Sequence, residues 1–236
     1  MHPALDLQHS IRPGLDILAN EIVISMKKRT RFKQNPEVYA AGLVYRLPTQ
    51  TLLRYELGRV EQVHAELGRF SYADQEPFTD VTNVPLVIAR DSPPSPIKQM
   101  RSHVGDRIIE FYTNWVSGGC EPGSDSDTFG ETVTADVVAL LLIMERINLG
   151  KYVAESKYLA SPEPFHEAGY DRDAILDLIL VKAREGQVFE MARQLAEHYE
   201  FSADAAVALF EFMVTVTKDV EVDYIRQRLD LTAAQA

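Results

Sequence analysis

Cysteine is nearly absent from the sequence, because the 236 residues include only Cys120. A single thiol can form neither an intrachain disulfide nor a zinc site made of several cysteines, and this fits a reducing compartment. Cys120 lies in a segment rich in Gly, Ser and Asp, VSGGCEPGSDSDTFGET. We therefore interpret it as a loop thiol without a functional role.

Long apolar runs are absent as well. The most apolar run, VVALLLIM at 137–144, is short, whereas a membrane-spanning helix needs about 20 apolar residues. The N-terminal residues, MHPALDLQHSIRPG, contain neither the basic segment nor the apolar segment of a signal peptide. The sequence therefore predicts a soluble, cytoplasmic protein without a membrane partner.

Basic residues are too few to balance the acidic ones. The chain has 24 Lys and Arg against 35 Asp and Glu, which gives a formal charge of −11. Nucleic acids and anionic membranes bind to basic surfaces, so neither is an expected partner. Any site for an anion must be a local concentration of cations.

Motifs of nucleotide and metal enzymes are missing too. No dinucleotide fingerprint, P-loop, HExxH pair or GxSxG elbow occurs in the sequence. The six histidines, at positions 2, 9, 64, 103, 166 and 198, do not have the spacing of metal ligands. We expect no metal and no cofactor.

Helical periodicity dominates what is present, and strand patterns are absent. Helices are predicted at about 10–31, 49–70, 98–117, 134–158, 163–168, 171–180, 183–200 and 203–230. Ser10 and Ser202 are the predicted N-caps of the first and last helices. Glu61 and His64 are predicted on the polar side of the second. This pattern predicts an all-α fold, a helical bundle.

Proline marks a long irregular segment between the second and third predicted helices. Residues 71–97 hold five of the twelve prolines and are either a domain boundary or a long ordered connection within one core. We predict a single domain over residues 1–236, whose helical pattern is weakest at 71–127.

The helix predicted at 134–158 carries two aligned cations. Eleven residues separate Arg146 from Lys157, and at about 100° per residue their directions differ by only about 20°. Gly150 lies on the same stripe, although glycine inside a helix costs about 0.5–1 kcal/mol relative to alanine, so something is expected to pack closely over it. The stripe is either solvated surface or a site for an anion.

Other polar residues have spacings that permit a shared pocket. Thr217 and Glu221 are one turn apart in the last helix. Arg184 and Glu185 fall in the first turn of the helix at 183–200, and Arg12 lies at the start of the first helix. Each of these taken alone is also compatible with a solvated face.

Two segments in this order resemble the helical (AroQ-type) chorismate mutases, and specifically the larger form of fungi and plants. They are FGETVTADVVALLLIMERINLGKYVAESKYLASPE, with the pattern R-I-x-x-G-K-x-V-A-E-x-K, and VTKDVEVDYIRQRLD, with T-K-x-V-E-V-x-Y. The opening stretch LQHSIRPGLDILANEIVISMKKRTRFKQNPEVY is similar to the first helix of that family. The resemblance covers about residues 5–230 and is weak across 71–127.

The resemblance implies a Claisen rearrangement of chorismate, a dicarboxylate, to prephenate on the route to phenylalanine and tyrosine. Catalysis of this kind requires cations that hold the folded substrate and donors aimed at the ether oxygen. Arg12 and Arg146 match the carboxylate-binding arginines of the family. Lys157 matches the lysine that binds a carboxylate and donates to the ether oxygen. Gly150 would then leave room for the ligand.

The remaining site residues are carried over from the same resemblance. Glu221 matches the second donor to the ether oxygen, and because a carboxylate cannot donate, it must be protonated. Thr217 lies beside the substrate, and Glu185 matches a glutamate near the ring hydroxyl. Arg184 aligns with an arginine of the small bacterial members. Val181 replaces the aspartate or asparagine that faces the ring hydroxyl in other members.

Val181 leaves the substrate open, because an apolar residue there discriminates poorly for a 4-hydroxyl. A mutase acting on 4-amino-4-deoxychorismate is therefore the alternative to chorismate mutase. Elimination of pyruvate from isochorismate by the same pocket is a third possibility. A non-catalytic helical interaction protein on this scaffold is the alternative of another class, although it would not explain why all the charged positions are kept together.

The family also implies a homodimer with allosteric sites for aromatic amino acids. A Gly-Ser pair and an Arg-Arg pair near those sites read here Gly130-Glu131 and Gly68-Arg69. A carboxylate at Glu131 repels the carboxylate of an amino acid, and one guanidinium is missing. We therefore expect weak or absent regulation by tryptophan and tyrosine.

Overall fold

The structure, a computed structural model, describes residues 2–89, 91 and 94–233. Its α-helices are α1 (Arg12–Arg29), α2 (Leu52–Glu66), α3 (Gly105–Gly119), α4 (Phe129–Asn148), α5 (Gly150–Ala160), α6 (Pro162–Ala168), α7 (Arg172–Ile179), α8 (Lys182–His198) and α9 (Ala203–Ala233). Within these described residues there is no β-strand, only an isolated bridge between Ala41 and Thr51. None of the described helices is long and apolar enough to cross a membrane. The predicted all-α fold is confirmed.

Helix α4 runs through the centre of the main apolar core. Leu140, Ile143 and Ile147 are almost completely buried along it, where it packs against α1, α2, α3 and α9. This confirms that 137–144 lies among other helices, with the exception of Val138, which is 48% exposed. Such burial on nearly all sides is what an apolar helix surface requires.

A buried ion pair crosses this core. Arg29 of α1 donates from Nε to Asp136 of α4 at 2.6 Å, and both side chains are completely buried. The hydroxyls of Tyr39 and Tyr112 donate to the same carboxylate at 2.7 and 2.8 Å. Cys120, the residue after α3, is a buried packing residue beside this pair, and its sulfur lies 3.5 Å from the Arg29 guanidinium. The desolvated ion pair of Arg29 and Asp136 holds α1 in register with α4.

The helix predicted at 134–158 is in fact two helices. The first begins at Phe129, and the chain turns at Leu149 before α5 starts at Gly150. Asn148 is buried at the turn and donates its side-chain amide to the carbonyl of Met144 at 3.1 Å. The interruption is a single residue, so the cations before and after it still point to the same side.

The helix predicted from residue 98 begins only at Gly105. The backbone N–H groups of Ser102 and His103, just before this helix, donate to the carboxylate of Glu76 at 2.9–3.0 Å. His103 has a left-handed φ of 54°, which a continuing helix cannot contain. Lys151 in the first turn of α5 then pairs with Glu76 at 3.1 Å. Near either end of the 71–97 segment, the described residues Ala73 and Ile97 are buried in one apolar cluster with residues of α5 and α9.

Three local predictions have different outcomes. Ser202 accepts from the N–H of Ala205 at 3.3 Å and caps α9 as predicted. Ser10 does not cap α1, since it lies inside a π-turn, Leu7–Ile11, which is capped by Asp6. Glu61 is not on a polar face, because it is completely buried and accepts from the N–H groups of Phe78 and Thr79 at 2.7 and 2.8 Å. Its carboxylate binds the 71–104 connection to α2.

Candidate active site

One cavity of about 170 Å³ lies where five parts of the bundle meet. These are the start of α1, the junction of α4 and α5, the end of α7, the start of α8 and the middle of α9. All nine positions singled out in the sequence line it: Arg12, Arg146, Gly150, Lys157, Val181, Arg184, Glu185, Thr217 and Glu221. Residues up to 209 positions apart in the chain are thus brought together.

Arg146, in the last turn of α4, is the most buried cation of the cavity. Arg146 is 4% exposed, and its guanidinium lies 5.1 Å from the centre of the Phe210 ring. The Nε atom is buried, and no described residue accepts a hydrogen bond from it. Burial lowers the pKa of Arg146 to about 10, although the charge of Asp16 opposes this shift. The group stays charged at neutral pH, and a buried charge without a partner favours the binding of an anion.

Lys157, in the last turn of α5, faces the same space. Its ammonium donates to the carbonyl of Ile179, the last residue of α7. Burial lowers the pKa of Lys157, while the carboxyl of Glu221 raises it and Arg12 lowers it further. An ammonium has three donors, so two remain for a ligand.

Glu221 supplies a carboxyl group from α9. Glu221 is 7% exposed, and burial raises the pKa of its carboxyl to about 8. Lys157 and Lys218 oppose that shift, and the negative charge of Glu185 adds to it. Glu221 is therefore protonated at neutral pH and can donate a hydrogen bond, as the sequence reading required.

Gly150 lies where α9 comes closest to α5. A Cβ atom there would lie 2.7 Å from the Thr217 methyl group and 3.2 Å from Cγ of Glu221. The prediction of close packing over Gly150 is confirmed, and the residue also lines the cavity. The missing side chain lets α9 approach α5, and this brings Glu221 and Lys157 to one cavity. The Thr217 hydroxyl donates to Met213 of its own helix at 2.7 Å, so it can only accept from a ligand.

The first turn of α8 forms the opposite wall. Val181 precedes the helix and is 52% exposed, and Arg184 donates to Gln187 at 2.8 Å. Glu185 forms an ion pair with Lys218 of α9, with 2.6 Å between Oε1 and Nζ but without hydrogen-bond geometry. Sequence reasoning missed Lys218, although it lies about 60° from Glu221 around the same helix.

The charges around the cavity do not balance. Five cations line it (Arg12, Arg146, Lys157, Arg184 and Lys218), against the carboxyl groups of Glu185 and Glu221. Within the described part of the chain, Lys218 is the only one of the five with a carboxylate within 4 Å. The surplus fits an anion with more than one negative charge, in a chain whose formal charge is −11. The described residues contain no group of three or more His, Cys, Asp and Glu placed to hold a metal.

Comparison with known proteins points to one family. Residues 130–222 match the model of the family described as chorismate mutase type II. The chorismate mutase of Schizosaccharomyces pombe is 30% identical over 240 residues, which cover 93% of this chain and 95% of that protein. The one from Trichoderma parareesei is 28% identical, over 96% and 94% of the two chains. The crystal structure of Candida albicans chorismate mutase in complex with L-tryptophan superposes with a TM-score of 0.84 at 25% identity, covering 96% of this chain and 93% of that one.

Proposed function

The chain belongs to the chorismate mutase family and is an isomerase of that family, and we propose that it converts chorismate to prephenate in the cavity described above. The observation that carries this proposal is the surplus of unpaired cations, above all the buried guanidinium of Arg146. Chorismate is a dianion of suitable charge. No cofactor enters the proposed reaction.

The proposed mechanism uses binding and electrostatics alone. Arg12 and Arg146 hold the two carboxylates, so that the enolpyruvyl arm folds over the ring. In one step the ether C–O bond breaks while a C–C bond forms between the methylene carbon of the arm and the ring, and no atom is gained or lost. Negative charge develops on the ether oxygen, where the ammonium of Lys157 and the protonated carboxyl of Glu221 donate.

Product identification tests the proposal. Purified protein is incubated separately with chorismate, 4-amino-4-deoxychorismate and isochorismate, and we expect prephenate from chorismate. A higher kcat/KM for the 4-amino analogue would assign the second function, in accord with the apolar Val181. Pyruvate from isochorismate would assign a lyase. Turnover of none of the three substrates would favour an interaction protein. The Arg146→Met variant serves as the inactive reference for each reaction.

We also propose that regulation of the enzyme by tryptophan and tyrosine is weak or absent. An open groove beside Glu131 has a mixed lining that includes Lys28, Arg31 and Glu56. Arg69 already donates to Glu145 at 2.8 Å and to Gln75 at 2.7 Å, so its guanidinium is engaged. Rates measured with and without each amino acid at subsaturating chorismate should agree closely. A several-fold change would contradict the proposal.

Assembly and location complete the proposal. We propose a homodimer, with the surface of α2 as the interface, and a cytoplasmic location. Fractionation of the source cells with an antibody to the protein would test the location, since recovery with an organelle would contradict it.

A further inference from the structure

The ion pair between Lys218 and Glu185 distinguishes one cavity cation from the others. It joins the middle of α9 to the first turn of α8, and the two side chains are 29% and 27% exposed. Both residues line the cavity. The pair therefore lies where a bound substrate and solvent meet.

Glu185 is held at this point by charge. Its Oε1 is buried and 2.6 Å from the ammonium, and no hydrogen bond from a described residue reaches that oxygen. An isolated carboxylate in this position would repel a dianion. With its charge cancelled by Lys218, the same carboxylate is still a hydrogen-bond acceptor.

We propose that Lys218 is a positioning residue for the reaction: its ammonium fixes Glu185 at the cavity wall and cancels its charge, so that α8 offers chorismate an acceptor without repelling it. This inference rests on the proposed function. Removal of Lys218 should raise KM for chorismate several-fold, because Glu185 is then an uncompensated anion at the site.

The pair also faces the carboxyl of Glu221. Charged groups around Glu221 are Lys157 from α5, Glu185 from α8 and Lys218 from α9 itself, while Arg12, Arg146 and Arg184 line the rest of the cavity. Burial raises the pKa of Glu221, Lys218 lowers it and Glu185 raises it. The two members of the pair thus shift the pKa of Glu221 in opposite directions. When one is removed, the effect of the other on this pKa is no longer offset.

The pH dependence of kcat/KM in single and double variants tests the proposal. Activity requires protonated Glu221, so it declines at alkaline pH. In Lys218→Met the decline should move to higher pH by about one pH unit, and in Glu185→Gln it should move to lower pH by a similar amount. The double variant should return close to the wild-type midpoint. A purely structural ion pair would not produce opposite shifts.

Two further variants serve as controls. Lys218→Arg keeps the charge, and we expect it to restore both the KM and the alkaline midpoint. Lys182→Met removes the same charge from an exposed residue three positions from Glu185 and outside the cavity lining, so it should behave as the wild type. If Lys218→Met does not fold, the downward shift in Glu185→Gln and the rescue by Lys218→Arg still decide the question.

Failure of the inference can be told apart from failure of the proposed function. A wild-type protein that makes no prephenate would overturn both. An active wild type whose two single variants share the wild-type midpoint, or shift in the same direction, would overturn only the role of Lys218.

Discussion

At the scale of single residues, the proposed mechanism depends on the protonation state of Glu221. In that mechanism the carboxyl donates to the ether oxygen, and burial raises its pKa to about 8. We expect wild-type kcat/KM to be level below this pH and to fall about tenfold per pH unit above it. Glu221→Gln keeps a donor that does not titrate, so its profile should be flatter across the same range.

Rates at constant ionic strength between pH 5 and 10 measure this difference. Glu211→Gln, an exposed glutamate on the same helix, is the matched control and should keep the wild-type profile. An alkaline decline in Glu221→Gln identical to that of the wild type would rule out Glu221 as the titrating donor.

The same buried carboxyl also links stability to pH. Its pKa is 4.5 in an ordinary environment and about 8 in the folded chain, so the folded state binds the proton more tightly. The stabilisation from this proton is complete below about pH 4.5 and is lost as the pH rises through about 8. Burial thus disfavours the ionised carboxylate at the position where the proposed mechanism needs a protonated donor.

At the scale of elements, the buried ion pair of Lys151 and Glu76 attaches the 71–104 connection to α5. Lys151 is 2% exposed and donates to Glu76 at 3.1 Å and to the carbonyl of Met100 at 2.8 Å. Although burial opposes it, the charge of Lys151 together with hydrogen bonds from Ser102 and His103 lowers the pKa of Glu76. Stability from this carboxylate is present above its ordinary pKa of 4.5 and is lost as the pH falls through the lowered value.

Glu76→Gln should therefore leave Lys151 charged and buried without a counterion. We expect a loss of about 3–5 kcal/mol in the free energy of unfolding, measured by urea denaturation at pH 7. The double variant with Lys151→Met should lose less than Glu76→Gln alone. If Glu76→Gln lowered the free energy of unfolding by less than about 1 kcal/mol, this ion pair would contribute little to holding the connection.

The helices themselves were predictable, and their ends were less so. Periodicity located every long helix, because an apolar stripe at helical spacing is a local signal. The late start of α3 at Gly105 depends on Glu76, which is far away in the sequence, and no local pattern shows it. The break at Leu149 precedes Gly150, which α9 approaches closely, and no local pattern shows it either.

The site was predictable for a different reason. Spacing alone left Arg146 and Lys157 undecided between surface and pocket, and only the combined motifs of two distant helices pointed to one site. The ion pair of Lys218 and Glu185 was missed because it joins two helices across the cavity. For Gly150, the sequence indicated a close contact, but what fills that space is a matter of tertiary packing.

At the scale of the whole molecule, the cationic cavity contrasts with a formal charge of −11. Apolar exposure is uneven as well. Six large apolar side chains that are at least 38% exposed fall within 43–67, in the segment before α2, on α2 and at its C-cap: Leu43, Tyr45, Leu47, Tyr55, Val63 and Leu67. Exposed apolar groups gathered in one part of the chain are typical of a surface that another chain covers. This uneven exposure supports the proposed homodimer through α2.

Sedimentation equilibrium tests this assembly. The wild type should have twice the mass of the 26.6 kDa chain, because burial of these side chains contributes about 25 cal/mol for each Å² removed from water. Val63→Glu places a charge at a half-exposed position of α2 and should shift the protein toward the monomer. Ile17→Glu changes a side chain of similar exposure, 61% against 51%, on α1 and should remain a dimer. A wild type that is monomeric at micromolar concentration, or two variants that dissociate alike, would exclude α2 as the interface.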